Sequence, residues 1–189
     1  MIRKIFVLSL AFALIVPGAA FADADFQLGV PGRNFPDDES VDGMRVSILW
    51  GKNQQTSGFD LGLFSVSQAH VRSGFALVGG ISRVTGKSDG AANLSFMNYH
   101  SGEDRGANLA FVNMVNDTRG ALNLGFVQIA KGQTSVDVGA LNVSKRSNFQ
   151  VGFVNVTDQI DGFQLGFLNM AENGIFPVFP LFNYPKKAD

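Results

Sequence analysis

The chain has 189 residues, 46% apolar and 16% charged, with 22 Gly, 18 Phe and no Cys. This composition excludes a disordered tail and a disulfide-stapled miniprotein and sets a prior of one domain. Lys and Arg number 15 against 16 Asp and Glu, and no basic run exceeds Arg3-Lys4 or Lys186-Lys187, so the charge pattern of a nucleic-acid binder is missing.

Residues 1–22 read as a secretory signal peptide. Arg3 and Lys4 precede an apolar run from Ile5 to Val16, Pro17-Gly18 breaks it, and Ala20-Phe21-Ala22 supplies a small-x-small cleavage site. The run is well short of the roughly 20 residues that a spanning helix needs. Cleavage is expected after Ala22, with Ala22 and Ala24 allowing a cut two residues later. Loss of the two cations Arg3 and Lys4 takes the formal charge from −1 to −3. No Cys stands at the cleavage point to carry a lipid, and no later apolar run has transmembrane-helix length. Residence within a membrane would therefore require a closed β-barrel.

Residues 23–43 form an N-terminal segment. Asp25-Phe-Gln-Leu-Gly-Val30 is a partial repeat interrupted by Pro31-Gly32, and Arg33 to Asp42 is a polar linker. Residues 44–174 are tandem repeats of about 15 residues. Their centres are Ser47, Gly62, Gly79, Ser95, Ala110, Gly125, Gly139, Gly152 and Gly166, spaced 13 to 17 residues apart and always Gly, Ala or Ser. Leu or Val precedes each centre, and an apolar residue follows two positions later. Three positions after come Ser65, Ser82, Asn98, Asn113, Gln128, Asn142, Asn155 and Asn169, with Trp50 the exception. Two before come Arg45, Asp60, Asn93, Asn108, Asn123, Asp137, Gln150 and Gln164, with Leu77 the exception. The unit is G-F-Q-L-G-F-x-N, as in Gly162 to Asn169.

Strict alternation along a strand would place Phe163, Leu165, Phe167 and Asn169 on one face and Gln164, Gly166, Leu168 and Met170 on the other. Turn formers such as Thr85-Gly-Lys-Ser-Asp-Gly90 separate the units. A nine-residue strand reaches about 30 Å, whereas the ~6 remaining residues return only about 20 Å. The expected fold is therefore all-β, an antiparallel meander of about ten short strands closing as an up-and-down β-barrel. The alternative is a two-sheet arrangement or a coiled β-solenoid, which a bend at the central glycine would permit. Residues 175–189, with Pro177, Pro180 and Pro185 among Phe residues, read as a C-terminal cap.

With this unit and an Asn-Gly-Ile-Phe-Pro-Val-Phe-Pro-Leu-Phe-Asn ending, the chain resembles a family of exported bacterial surface repeat-containing proteins, well over 58–184 and loosely over 25–57. The resemblance implies a cell-envelope or surface location. It brings no assigned reaction and no catalytic residues.

No phosphate loop, nucleophile elbow or metalloprotease helix occurs. His70 and His100 are the only histidines, too few for a zinc site without distant carboxylates. Asp37, Asp38 and Glu39 lack the spacing of a calcium loop. Asn93, Asn116, Asn142 and Asn155 each open a glycosylation sequon, three of them parts of the repeat. No catalytic, cofactor-binding or metal-binding residue is assigned, and no cofactor is expected. The expected function is that of an exported, non-enzymatic envelope protein, a small outer-membrane barrel with a structural role. The alternative is a soluble periplasmic or surface-displayed binding protein. Its partner classes are outer-membrane lipid and other envelope proteins or polymers. Whether the stripe of Phe96, Phe111, Phe126, Phe153 and Phe167 meets lipid or forms a dry core decides between the two.

Overall fold

A computed structural model describes residues 24–187; the signal peptide expected over residues 1–22 lies outside them. Nine strands form one sheet in the order β2-β1-β3-β4-β5-β6-β7-β8-β9. They are β1 (Ala24–Val30), β2 (Arg33–Phe35), β3 (Ser40–Arg72), β4 (Phe75–Ser88), β5 (Ala92–Asp104), β6 (Ala107–Thr118), β7 (Leu122–Ala130), β8 (Gln133–Ala171) and β9 (Val178–Asn183).

Every pairing from β1·β3 to β7·β8 is parallel. Ala92 lies beside Ala107 and Ala107 beside Leu122, so each repeat stacks on the next in the same direction. This is a β-solenoid, the alternative that the sequence left open, and it corrects the antiparallel meander and the barrel. The sheet does not close on itself. It ends in two antiparallel pairs, β2 on β1 and β9 on β8, with Pro185 bridged to Gly174.

One repeat makes one coil because the unit is not one straight strand. Asn93 and Asn98 are both buried, while Phe96 and Met97 between them point outward. Two successive outward residues reverse the alternation, so the nine-residue segment bends at its centre into two short arms. Ser95 Oγ donates to Asn98 Oδ1 (2.9 Å) and Asn98 Nδ2 to the Asn93 carbonyl (3.3 Å), folding the second arm back against the first. Each arm then reaches only about 10 Å, and 15 residues suffice to close a turn. The face assignment made from strict alternation fails at this corner: Gln164 and Asn169 are both inside.

The small residue at the centre follows from the stacking. A Cβ on Gly152 would lie 2.2 Å from the Gly139 carbonyl oxygen and 2.5 Å from Asn142 Nδ2. Gly152→Val is expected to lower stability by about 3 kcal/mol, measured by thermal denaturation, because backbone must move to admit the side chain. The register also departs from the sequence reading in one repeat. Gly62 pairs with Val78 rather than Gly79, so Ala76 and not Leu77 stands beside Asp60, and Ser67 rather than Ser65 pairs with Ser82.

Candidate functional site

The interior of the solenoid is polar. In one column Asn98 Nδ2 donates to Asn113 Oδ1 (2.9 Å) and Asn113 Nδ2 to Gln128 Oε1 (2.8 Å). Beyond this, Asn142 donates to Asn155 (2.7 Å) and Asn155 to Asn169 (2.8 Å). The ladder is interrupted once. Gln128 Nε2 turns to the Val138 carbonyl (3.2 Å), and Asn142 Oδ1 is left without a partner. A second column runs Asn93 to Asn108 to Asn123 to Asp137, with separations of 3.2, 2.9 and 2.8 Å. Apart from Asn142, each amide is donor and acceptor at once, so identical residues stacked at the coil spacing satisfy one another without solvent.

Asp137 ends the second column as a carboxyl, and the buried Asp104 carboxylate also accepts from Asn108 (2.6 Å). Burial raises the Asp137 pKa, against the lowering effects of hydrogen bonds from Asn123, Thr134 and Gln150. An acid whose pKa is higher folded than unfolded weakens the fold as pH rises above its ordinary value of 3.8. Asp137→Asn is therefore expected to stabilise the protein by about 1 kcal/mol at neutral pH. The gain should vanish at pH 3, as read from paired thermal melts.

At the N-terminal end the same columns carry charge. Arg45 Nε donates to Asp60 Oδ1 (2.9 Å), Arg45 Nη2 to Asp60 Oδ2 (2.5 Å) and Arg72 Nη2 to Asp60 Oδ2 (2.8 Å). All three side chains are buried. Ser67 hydroxyl bonds to the carboxylate and both guanidinium groups, and Ser82 accepts from Arg72. Burial alone would raise the Asp60 pKa, but the charges of Arg45 and then Arg72 hold it below the ordinary value. Burial pulls Arg72 down to about 10, against the opposing effect of Asp60.

The exterior of the arms is apolar. The corner row carries Phe96, Phe111, Phe126, Phe153 and Phe167, which are 52 to 65% exposed. Their rings stack along the axis, at 5.7 Å for Phe96–Phe111, 5.2 Å for Phe111–Phe126 and 5.0 Å for Phe153–Phe167. On one flank Leu94, Leu109, Leu124 and Val138 align; on the other Met97, Val112, Val127 and Leu141 do, backed by Tyr99, Met114, Ile129 and Val143. Charged residues gather on the turns away from the corner, where Lys87–Asp89 (2.6 Å), Arg105–Glu103 (2.9 Å) and Arg146–Asp161 (2.6 Å) form ion pairs. The result is a wedge with an aromatic edge, apolar flanks and a charged base.

The other sequence candidates are scattered. His70 is exposed, with Nδ1 3.2 Å from Thr85 Oγ1. His100 is buried, its Nδ1 2.5 Å from Asp104 Oδ2. Among the described residues no three His, Cys, Asp or Glu side chains gather as metal ligands, Asp37, Asp38 and Glu39 included. The sequon residues Asn93, Asn142 and Asn155 are buried in the ladders, and Asn116 is half-buried at a turn. Two shallow depressions of about 120 and 220 Å³, by Tyr99 and by Trp50, fall below the roughly 300 Å³ at which small-molecule sites begin. Among the described residues no helix is long and apolar enough to cross a membrane.

Sequence reading marked the amide columns and the Phe row but missed the buried ion cluster. Arg45 and Asp60 did stand where other coils carry an amide, which was its one signal; Arg72 carried none.

Comparison with protein-family models, curated proteins and solved structures finds no match. The candidate site is therefore defined by its own geometry: the wedge is an extended apolar surface that runs along the coils, and a second aromatic cluster, exposed Phe176, Phe182 and Tyr184 with half-buried Phe179, lies at the C-terminal end.

Proposed function

We propose that the protein is an exported, non-enzymatic β-solenoid of the cell envelope, a scaffold that works by presenting its aromatic-edged wedge for docking. One observation carries this reading: stacked, exposed Phe rings line the outside of a coil whose inside is built of amides. Water-soluble folds put large apolar side chains inside, and contiguous apolar exteriors mark interaction sites. The N-terminal export pattern and the resemblance to exported surface repeat proteins support the envelope location. The buried amide ladders and buried ion cluster support a rigid rod rather than a reaction centre, since their polar groups are turned toward one another and away from any cleft.

The test is cell fractionation combined with dye binding. The processed chain, cut after Ala22, is expected outside the cytoplasm, and the purified protein should bind an apolar-surface dye such as ANS while fully folded. Cytoplasmic retention of the uncut chain, or a folded protein that leaves the dye unbound, would overturn the reading.

A further inference from the structure

We infer that the occupant of the wedge is the hydrocarbon of a phospholipid bilayer, into whose surface the solenoid sinks edge-first without crossing it. This deepens the docking reading above and rests on it.

The size of the apolar surface comes first. At about 200 Å² per ring, the five corner rings, 52 to 65% exposed, offer roughly 600 Å² in two groups, Phe96 to Phe126 and Phe153 with Phe167, which the smaller apolar Ala140 and its flanking Val138 and Leu141 join into one surface. The flanks add to it. Shape then selects the occupant. The apolar rows lie on both sides of a convex corner, so a flat partner, or a second copy, would cover one flank and leave the other in water. A fluid medium covers the edge and both flanks together.

Depth and charge agree. From the Phe row to the row of Tyr99, Met114 and Ile129 is three residues, about 10 Å of strand, which matches the roughly 5–10 Å to which interfacial elements bury their apolar face. From the coil of Asn93 onward no charged side chain interrupts these rows. Arg83, one coil earlier, lies over the Tyr99 ring at 5.7 Å and marks the end of the apolar flank. Along the stack the backbone is satisfied by pairing of each coil with the next, and the open edges lie only on β2 and β9 at the two ends, which suits a surface-seated rod rather than one that crosses the hydrocarbon. Between residues 85 and 174 the exterior carries six basic and six acidic side chains, Asp104 and Asp137 being buried. The charged base therefore has no preference for anionic headgroups, and binding should be as good to neutral lipid and little affected by salt.

Flotation of the exported, processed protein with phosphatidylcholine vesicles, at low and high salt, tests this. Association is expected in both. The doubles Phe111→Ser with Phe126→Ser, and Phe153→Ser with Phe167→Ser, are each expected to weaken it by roughly a hundredfold, with the circular dichroism spectrum of the folded chain kept and the melting temperature lowered by less than about 10 °C. If the native chain stays unbound but self-associates through the same rings, or binds ANS as a monomer, lipid is the wrong occupant and the docking reading survives. Should it stay unbound, monomeric and dye-silent, both fail. If both double variants unfold, the rings are structural and the lipid proposal is overturned.

Discussion

Asn113→Ala is expected to cost about 3 kcal/mol of stability, whereas Phe111→Ser, two residues earlier, costs about 1 kcal/mol. The ordering reverses what residue hydrophobicity alone would suggest. Asn113 is fully buried, receives a hydrogen bond from Asn98 and donates one to Gln128. Its removal leaves a buried donor on one neighbouring coil and a buried acceptor on the other, each without access to water. Phe111 is half exposed and contributes mainly its stacking with Phe96 and Phe126. Urea denaturation of the two variants and the native chain decides the matter. A Phe111 variant less stable than the Asn113 variant would mean that the polar and apolar sides have been assigned the wrong way round. By the same reasoning Phe126→Asp and Phe167→Asp are expected to fold, because both rings face outward; a dry Phe core would forbid it.

Asp60→Ala is expected to destabilise the N-terminal coils by about 3–5 kcal/mol, since it strands two buried guanidinium groups. Replacing all three, Arg45→Met with Asp60→Leu and Arg72→Met, should recover most of that loss, because a buried ion cluster has little net advantage over apolar residues of similar volume. Thermal melts of the single and triple variants measure both. The cluster also makes the native protein acid-sensitive. Asp60 has a folded pKa below its ordinary value, as does Asp104, where burial is outweighed by His100, Asn108 and the Gly106 amide. Their stabilisation is complete above pH 3.8 and is lost as pH falls through the lower folded values. Asp137 acts in the opposite sense over the range above 3.8. Acid melting should therefore be steepest below pH 4, and Asp60→Ala should flatten it.

Much of the fold can be read from particular residues. The recurrence of Gly, Ala or Ser at each centre, with Asn or Gln three positions later, marks a stack of equivalent units. The identities of Asn98, Asn113, Asn155 and Asn169 already suggest polar groups that meet their own kind. Direction was not legible. Parallel and antiparallel stacking place like residues beside like or unlike partners, and the linear repeat is compatible with both. The corner was open in the sequence only as the alternative of a bend at the central small residue. In Asn93-Leu-Ser-Phe-Met-Asn98 the parity changes between Ser95 and Asn98, and apolar residues on both sides of that point fit a straight strand as well as a bent one. Two bulges, at Gly62/Val66 and Val78/Ile81, then shifted one repeat by a residue, which no count of periods reveals. The cluster of Arg45, Asp60 and Arg72 was invisible because Arg72 lies outside the G-F-Q-L-G-F-x-N unit and reaches Asp60 across the interior of its own coil, a contact that linear spacing does not show.

By itself the sequence determined an all-β chain of tandem units, each with an amide position, a small centre and an aromatic neighbour, because such periodicity is a property of the chain's order. Only the tertiary structure decided that the units stack in parallel and that the amides are inside with the rings outside. The reason is physical: a bend at a small residue reverses which side of the strand faces inward, and whether the chain bends there depends on the next coil lying against it.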